Sequence, residues 1–197
     1  MDLTIAGLLS MARDTVSAPR DGARRGLALG LPVHVAWNAL ALMAVGSALL
    51  THLSYLLSPP PKQDFFAQAM SSPFRTFVLQ GAVMAAGAWA MFAAGTARGG
   101  TGSLSGAISL VAWLQFVLLL LQVAQLVAQV ILPPLAGIIG FAGVVLFFWL
   151  LTAFVMELHG FRSALVTLLG IVAVMFLLGL VAATLLSILI GAPAGMR

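Results

Sequence analysis

The stretch "ISLVAWLQFVLLLLQVAQLVAQVILPPLAGIIGFAGVVLFFWLLTAFVM" (108–156) decides the fold of this chain. It contains no charged residue and is far longer than the roughly 20 apolar residues with which a helix crosses a bilayer. Pro133 and Pro134 divide it, because proline lacks a backbone donor and disfavours helix in the residue before it. The stretch therefore predicts two membrane spans, about 108–132 and 135–156, joined by a tight turn.

Three more apolar stretches of sufficient length lie on either side, at about 27–50, 74–94 and 164–190. Polar segments separate them: "SPPPKQDFFAQAMSSP" (58–73), "GTARGGTGS" (95–103) and "ELHGFR" (157–162). The pattern predicts an all-α fold, a polytopic transmembrane helical bundle of five spans. We expect an N-terminal interfacial segment over 1–26, a five-span domain over 27–191 and a C-terminal tail over 192–197.

The composition agrees with a membrane protein. The chain is 62% hydrophobic and 7% charged, with a mean hydropathy of +1.14, whereas an ordinary globular domain carries roughly 25% charged residues. The net charge of +4 does not indicate nucleic-acid binding, because the basic residues lie at the edges of apolar runs, where membrane proteins place them. Cysteine is absent, which excludes disulfides, thiolate metal sites and a cysteine nucleophile.

The first residues have the spacing of an amphipathic helix. Its apolar positions are Ile5, Leu8, Leu9, Ala12 and Val16. We interpret this segment as a helix lying in the membrane interface, against the alternative of a loosely ordered tail. The segment "SAPRDGARR" (17–25) then begins a second helical stretch.

Arginines of the N-terminal segment are candidate contacts for anionic lipid headgroups, at about 1 kcal/mol each. They are Arg13, Arg20, Arg24 and Arg25. With Arg98 and Arg162 they would gather on one side of the membrane, while Lys62, Arg75 and Arg197 would lie on the other. The excess predicts a cytoplasmic N-terminus and an outside C-terminus, in a bacterial inner membrane.

"MELHG" (156–160) raises the question of a catalytic or proton-carrying carboxylate. Glu157 is the only acidic residue after Asp64, but it comes at the end of span four, just before Gly160, which readily ends a helix. A carboxylate at mid-bilayer would indicate function, whereas one at a helix end is ordinary. The interpretation we favour is an interfacial hairpin of Glu157, His159 and Arg162, with Arg162 within reach of the carboxylate.

Polar residues inside the spans are the remaining candidates for function. His34 and Asn38 share one face of span one. Span three carries a glutamine stripe within an arc of about 80 degrees, consisting of Gln115, Gln122, Gln125 and Gln129. Amides facing lipid would be unsatisfied, so the stripe must face protein. Two interpretations stay open for both sets: hydrogen bonds between helices or to a partner, and a polar path for a solute.

No pattern typical of an enzyme emerges. "SLSG" (103–106) lacks the leading glycine of an intramembrane serine-protease motif, and "ARGGTGS" (97–103) lacks the spacing and the lysine of a nucleotide-binding loop. We therefore expect no catalytic residue, no cofactor and no metal site.

Three segments together carry a family resemblance: "SAPRDGARR", "GTARGGTGSLSGAISLVAW" (95–113) and "ELHGFRSAL" (157–165). With the five spans, they make the chain similar to the Yip (Ypt/Rab-interacting protein) domain family, in its bacterial branch. The resemblance implies a membrane protein without known catalysis. Eukaryotic members interact with prenylated small GTPases, but their aspartate-leucine-tyrosine-glycine-proline motif is missing, since the sole tyrosine, Tyr55, lies in "HLSYLL" (52–57). GTPase binding is therefore not expected.

Two hypotheses follow. The first is a non-enzymatic membrane protein that associates with other membrane proteins or with itself, or organises the membrane. The second is a small-solute transporter or channel component that uses His34, Asn38 and the glutamine stripe.

Overall fold

The computed structural model of the chain describes residues 4–61, 68 and 70–190, with side chains up to Thr184. Within these ranges the chain forms seven α-helices: α1 (Ile5–Ser17), α2 (Pro19–Ala28), α3 (Val33–Leu57), α4 (Pro73–Ala97), α5 (Leu104–Ile131), α6 (Pro133–His159) and α7 (Ala164–Ile190). The last five are long and apolar enough to cross a membrane. The predicted all-α fold with five spans is confirmed. The expected tail, 192–197, lies outside the described residues.

The first span begins later than its predicted start near residue 27. Helix α2 ends at Ala28, Gly30 adopts a left-handed φ of 56°, and Pro32 caps the following helix. Proline biases the preceding Leu31 away from helix, and glycine tolerates positive φ, so the chain turns here. The predicted span therefore took in the end of α2 and the turn after it, because hydrophobicity alone does not reveal this break.

The two turns that flank α6 follow the sequence closely. Leu132 is the single non-helical residue between α5 and α6, and Pro133 opens α6, where its missing N–H costs nothing. At the other end Gly160 caps α6 in the left-handed conformation, with φ 73°. Helix α6 thus runs three residues beyond the predicted Met156, and Glu157 lies in its last turn.

Helix α5 is the centre of the bundle and packs against α3, α4 and α6. One face buries Leu110 and Leu114 against Leu150 and Phe154 of α6. The other buries Ile108 and Ala112 of α5 against α3 and α4; its further members are Ala36, Leu40 and Ala88. This central place explains why α5 is the most buried of the five long helices.

The N-terminal helices pack on the bundle rather than resting only on lipid. Helix α2 contacts α6 and α5, and α1 contacts α2. Ala12 and Thr15 of α1 are buried, while Ile5 and Leu9 remain exposed. Helix α1 therefore has one edge against protein and an apolar edge free for the membrane interface.

Helix α7 packs against α6 and, more narrowly, α4. Large apolar side chains such as Leu169, Phe176 and Leu180 are exposed along it. Similar exposed side chains cover the other long helices, and in an aqueous protein so large an apolar surface would be prohibitive. Lipid contacts this surface, and the chain is an integral membrane protein.

Candidate functional site

The bundle has two polar ends, which we name by their residues. The near end comprises α1, α2, the α4–α5 loop (98–103) and the α6–α7 turn (160–163). The far end comprises the last turns of α3 and α5 and the first turns of α4 and α6. All four arginines predicted to contact lipid headgroups and the predicted hairpin belong to the near end, and most of the glutamine stripe belongs to the far end.

Glu157 joins the last turn of α6 to α2. Its Oε1 accepts a hydrogen bond from Nε of Arg24 at 2.9 Å, and its Oε2 lies 3.5 Å from Nε of Arg20. The Glu157 side chain is only 16% exposed. The hydrogen bond to Glu157, with its negative charge, raises the pKa of Arg24. Within the described residues these two arginines are the ion-pair partners of Glu157, and Arg162, which was expected within reach of the carboxylate, forms no ion pair with it.

The partners of Glu157 were missed because α2 and α6 are distant in sequence. Arg20 and Arg24 lie one helical turn apart, so both guanidinium groups project from the same face of α2. That spacing was the available signal in the sequence. Two arginines on one helix face can bind one carboxylate together, as they can bind a phosphate. The other N-terminal arginines differ in this respect. Arg25 pairs with Asp14 at 3.5 Å, and Arg13 is exposed.

His159 is buried, with 4% of its surface exposed, and both ring nitrogens are occupied. Nδ1 accepts from the backbone N–H of Gly102 at 3.3 Å. Nε2 must then carry the proton, and it donates to the carbonyl of Met91 at 3.0 Å. Phe161 stacks on the ring, with a centroid distance of 5.5 Å. His159 therefore ties α6 to α4 and to the loop after α4.

Three glycines form the seat of this imidazole. A β-carbon at Gly95, Gly100 or Gly102 would overlap atoms of the His159 ring. The glycine-rich segment 95–103 was predicted only as a connection, and its role as a seat was missed. Glycine-rich loops commonly mark a close approach of the backbone to another group, and this was the signal in the sequence. Arg162, the third residue of the predicted hairpin, is exposed.

Thr15 links α1 to the middle of the bundle. Its side chain is 1% exposed, donates to the carbonyl of Met11 at 2.7 Å and accepts from Nε1 of Trp113 at 3.1 Å. A β-carbon at Gly22 of α2 would overlap Thr15. Sequence reasoning missed this contact, because a threonine in an amphipathic helix carries no pattern that distinguishes it from a surface residue.

The far end holds a network of hydrogen bonds between α3, α4 and α5. Oγ1 of Thr51 accepts from Gln80 at 3.3 Å and from Gln122 at 3.5 Å. Ser54 donates to Gln129 at 2.9 Å. A further bond of 2.8 Å joins His52 to Thr76. Two members of the glutamine stripe therefore bond to α3.

Beside this network lies a polar cavity of about 140 Å³, lined chiefly by Thr51, Ser54, Tyr55, Gln122, Gln125 and Gln129. Adjoining it along α5, an apolar groove of about 450 Å³ runs between α5, α6 and α7. Gln122 and Gln125 line both spaces. Gln115 lines neither and is partly buried nearer the start of α5.

His34 and Asn38 do not join the glutamines. Both are exposed in the first turns of α3, and Thr51 of the far-end network lies about 25 Å beyond His34 and about 20 Å beyond Asn38 along this helix, at 1.5 Å per residue. The structure thus brings together Gln122, Gln125 and Gln129 but leaves His34 and Asn38 at the other end of the span.

No group of three or more His, Asp or Glu side chains within the described ranges is arranged to hold a metal ion. The chemistry that the geometry supports is hydrogen bonding and ion pairing between helices.

Comparison with protein-family models matches residues 13–186 to the Yip1 domain. The parallel comparisons with curated proteins and with solved structures found no match. The matched range takes in α2 to α6 complete, the last part of α1 and most of α7. Because the family model covers nearly the whole chain, this protein belongs to the Yip1 domain family.

Proposed function

We propose that this protein is a non-enzymatic membrane protein that associates with other membrane proteins or with a second copy of itself, or that organises the surrounding bilayer. The observation that carries the proposal is the far-end network, in which Gln122 and Gln129 bond to Thr51 and Ser54. Side chains bonded between helices in this way hold the bundle together, which favours a role in helix packing over a continuous solute path. Bonds of this kind typically contribute about 0.6 kcal/mol each.

The proposed orientation has α1 and α2 at the cytoplasmic face of a bacterial inner membrane and the C-terminus outside. The basic near end supports it, because basic residues concentrate on the cytoplasmic side. We also propose the division into an interfacial segment (1–26), a five-span domain (27–191) and a tail (192–197). The packing of α1 and α2 on α5 and α6 supports an interfacial segment that is held against the five-span domain.

The arginines of the near end would contact anionic lipid. Arg13 is exposed, and Arg24 keeps 66% of its side chain exposed while bonded to Glu157. Each basic residue near an anionic surface contributes about 1 kcal/mol. Arg20 and Arg25 are partly engaged by carboxylates, so their share would be smaller.

The test of association is the mass of the full chain in mild detergent, combined with crosslinking in vesicles before extraction. A dimer, a higher oligomer or a stoichiometric complex with one membrane protein supports the proposal. A strictly monomeric chain without a crosslinked partner and without effect on vesicle shape would refute it. Vesicles with and without phosphatidylglycerol test the lipid contact, with Arg13→Gln as the variant and Arg75→Gln of the far end as the control.

A second candidate function is transport of a small solute, favoured by the polar cavity between α3 and α5. Changing both Gln122 and Gln125 to leucine should abolish flux of the solute through vesicles. Flux that is absent from the unaltered protein, or that survives the double change, would remove this candidate. Gln115→Leu is the matched control, since Gln115 lines neither the polar cavity nor the apolar groove.

A further inference from the structure

We propose that Gln122 and Gln125 mark the junction of a binding site for a lipid with one acyl chain and an uncharged, hydrogen-bonding headgroup. These two side chains line both the polar cavity and the apolar groove, which therefore adjoin each other along α5. A ligand that fills both spaces must be amphiphilic, with its polar and apolar parts meeting at the two amides.

The polar cavity selects an uncharged headgroup. Its lining consists of hydroxyl and amide groups with one leucine, and no lysine, arginine, aspartate or glutamate belongs to it. An ionised headgroup would lose its water there without gaining a counter-charge, which is costly. The volume of 140 Å³ corresponds to about four or five water molecules, enough for a compact polyol such as glycerol.

One amide at the junction lacks a partner that a ligand could supply. Gln125 makes no hydrogen bond within the described part of the chain. Gln125 is half-buried and lines the cavity, so its unpaired amide can exchange hydrogen bonds with hydroxyl groups of a ligand there.

The apolar groove suits a single hydrocarbon chain. Its walls are mainly large apolar side chains: Leu118, Leu121, Val144, Phe147, Phe148 and Met175. Helix α7 packs on α6 and α4, and the space between α7 and α5 is left for the acyl chain of the lipid. The volume of 450 Å³ is typical of sites for small ligands.

Two glycines of α6 keep the groove open. A β-carbon at Gly140 would lie 3.1 Å from the amide nitrogen of Gln125, and one at Gly143 would lie 3.1 Å from Leu121. Gly137, one turn before Gly140 in the same helix, has nothing within 4 Å of such an atom. Gly140→Ala would therefore displace the Gln125 amide, whereas Gly137→Ala would leave the site unchanged.

The site is independent of the proposed association, because it requires neither a protein partner nor transport. The experiment uses the full chain in phosphatidylcholine vesicles with a monoacylglycerol that carries a photoreactive diazirine near the end of its acyl chain. Labelled peptides are identified by mass spectrometry. We expect the label on the groove walls, within 118–125 and 140–148, and competition by unlabelled monoolein but not by methyl oleate, which lacks hydroxyl groups.

The variants test the junction itself. Gln125→Leu and Gly140→Ala should lower the labelling of the groove about three- to tenfold, the loss expected for one hydrogen bond. Gln115→Leu and Gly137→Ala should label like the unaltered protein. Thermal unfolding checks that each variant is folded, and Gly140→Ala keeps the test valid if Gln125→Leu does not fold, since alanine is well tolerated in a helix.

Three outcomes would overturn the proposal. The first is equal labelling of the groove and of the outer face of α7, which would mean ordinary surrounding lipid only. The second is unchanged labelling of both junction variants. The third is equally strong groove labelling by an analogue with a phosphate headgroup, because the uncharged cavity would then not select the head.

Discussion

A β-carbon at Gly95 would enter the ring of His159, so Gly95→Ala tests whether the near end depends on this seat. The imidazole must shift and lose its bonds to Met91 and Gly102, of 3.0 and 3.3 Å. Each bond contributes a net ~0.5–1.5 kcal/mol, and overpacking costs ~1–3 kcal/mol. Alanine recovers ~0.5–1 kcal/mol of helix propensity. We therefore expect a net destabilisation of about 1–5 kcal/mol.

The measurement is thermal unfolding of the purified protein in mild detergent, followed by tryptophan fluorescence. At ~2–4 °C per kcal/mol for a chain of this size, the midpoint should fall by about 2 to 20 °C. Gly87→Ala is the matched control in the same helix, because nothing lies within 4 Å of a β-carbon at this position. It should leave the midpoint unchanged or raise it slightly.

A double-mutant cycle gives the sharper test. In a His159→Ala background the ring is gone, so Gly95→Ala should cost nothing further, and the two changes should be strongly non-additive. If Gly95→Ala melts like the unaltered protein, or costs the same with and without the ring, the imidazole is not seated against Gly95 and the reasoning fails.

Thr15→Val should destabilise the protein by about 1–3 kcal/mol, measured by chemical denaturation, because Nε1 of Trp113 loses its acceptor while the shape is kept. Glu157→Gln should release α2, with several-fold faster amide deuterium exchange over 19–28 and little change in α5. Its partner Arg24 has a raised pKa, so this contribution is present below the pKa of a free guanidinium and is lost only as pH rises through the raised value. In the unaltered protein the protection factors over 19–28, which correct for the pH dependence of intrinsic amide exchange, should therefore match at about pH 6 and about pH 8. Gly160→Ala should cost about 1–2 kcal/mol, seen as a lower unfolding midpoint, because its φ of 73° is unfavourable for alanine.

Each of these changes has a control in the chain. Ser17→Ala removes a hydroxyl of α1 that bonds only to its own helix, and should cost less than Thr15→Val. Asp21→Asn removes an exposed carboxylate 3.4 Å from Arg24 and should leave exchange over 19–28 nearly unchanged. Gly137→Ala, at an ordinary helical φ, controls Gly160→Ala. If a control variant changed stability or deuterium exchange as much as its test variant, the corresponding contact would be refuted.

Several features of the site were predictable because they depend on local chemistry. The glutamine stripe had to face protein, since lipid offers amides no partner, and Gln122 and Gln129 indeed bond to α3. Glu157 was expected at a helix end, and Gly160 was expected to end that helix; both predictions are confirmed. Which residues would receive these side chains was not predictable: within the described residues Glu157 pairs with Arg20 and Arg24 of α2 rather than with Arg162, which was expected within reach.

The sequence by itself determined five apolar helices and the positions of most turns between them. In lipid, every backbone group must be satisfied within its own helix, so each span follows from its own residues and from Pro133, Pro134 and Gly160. Only the tertiary structure decided that α2 binds Glu157, that the glycines of 95–102 seat His159, and that Gln122 and Gln125 separate a polar from an apolar space. These contacts join segments far apart in the chain. They depend on how helices of similar hydrophobicity pack against one another, and no local sequence pattern encodes that packing.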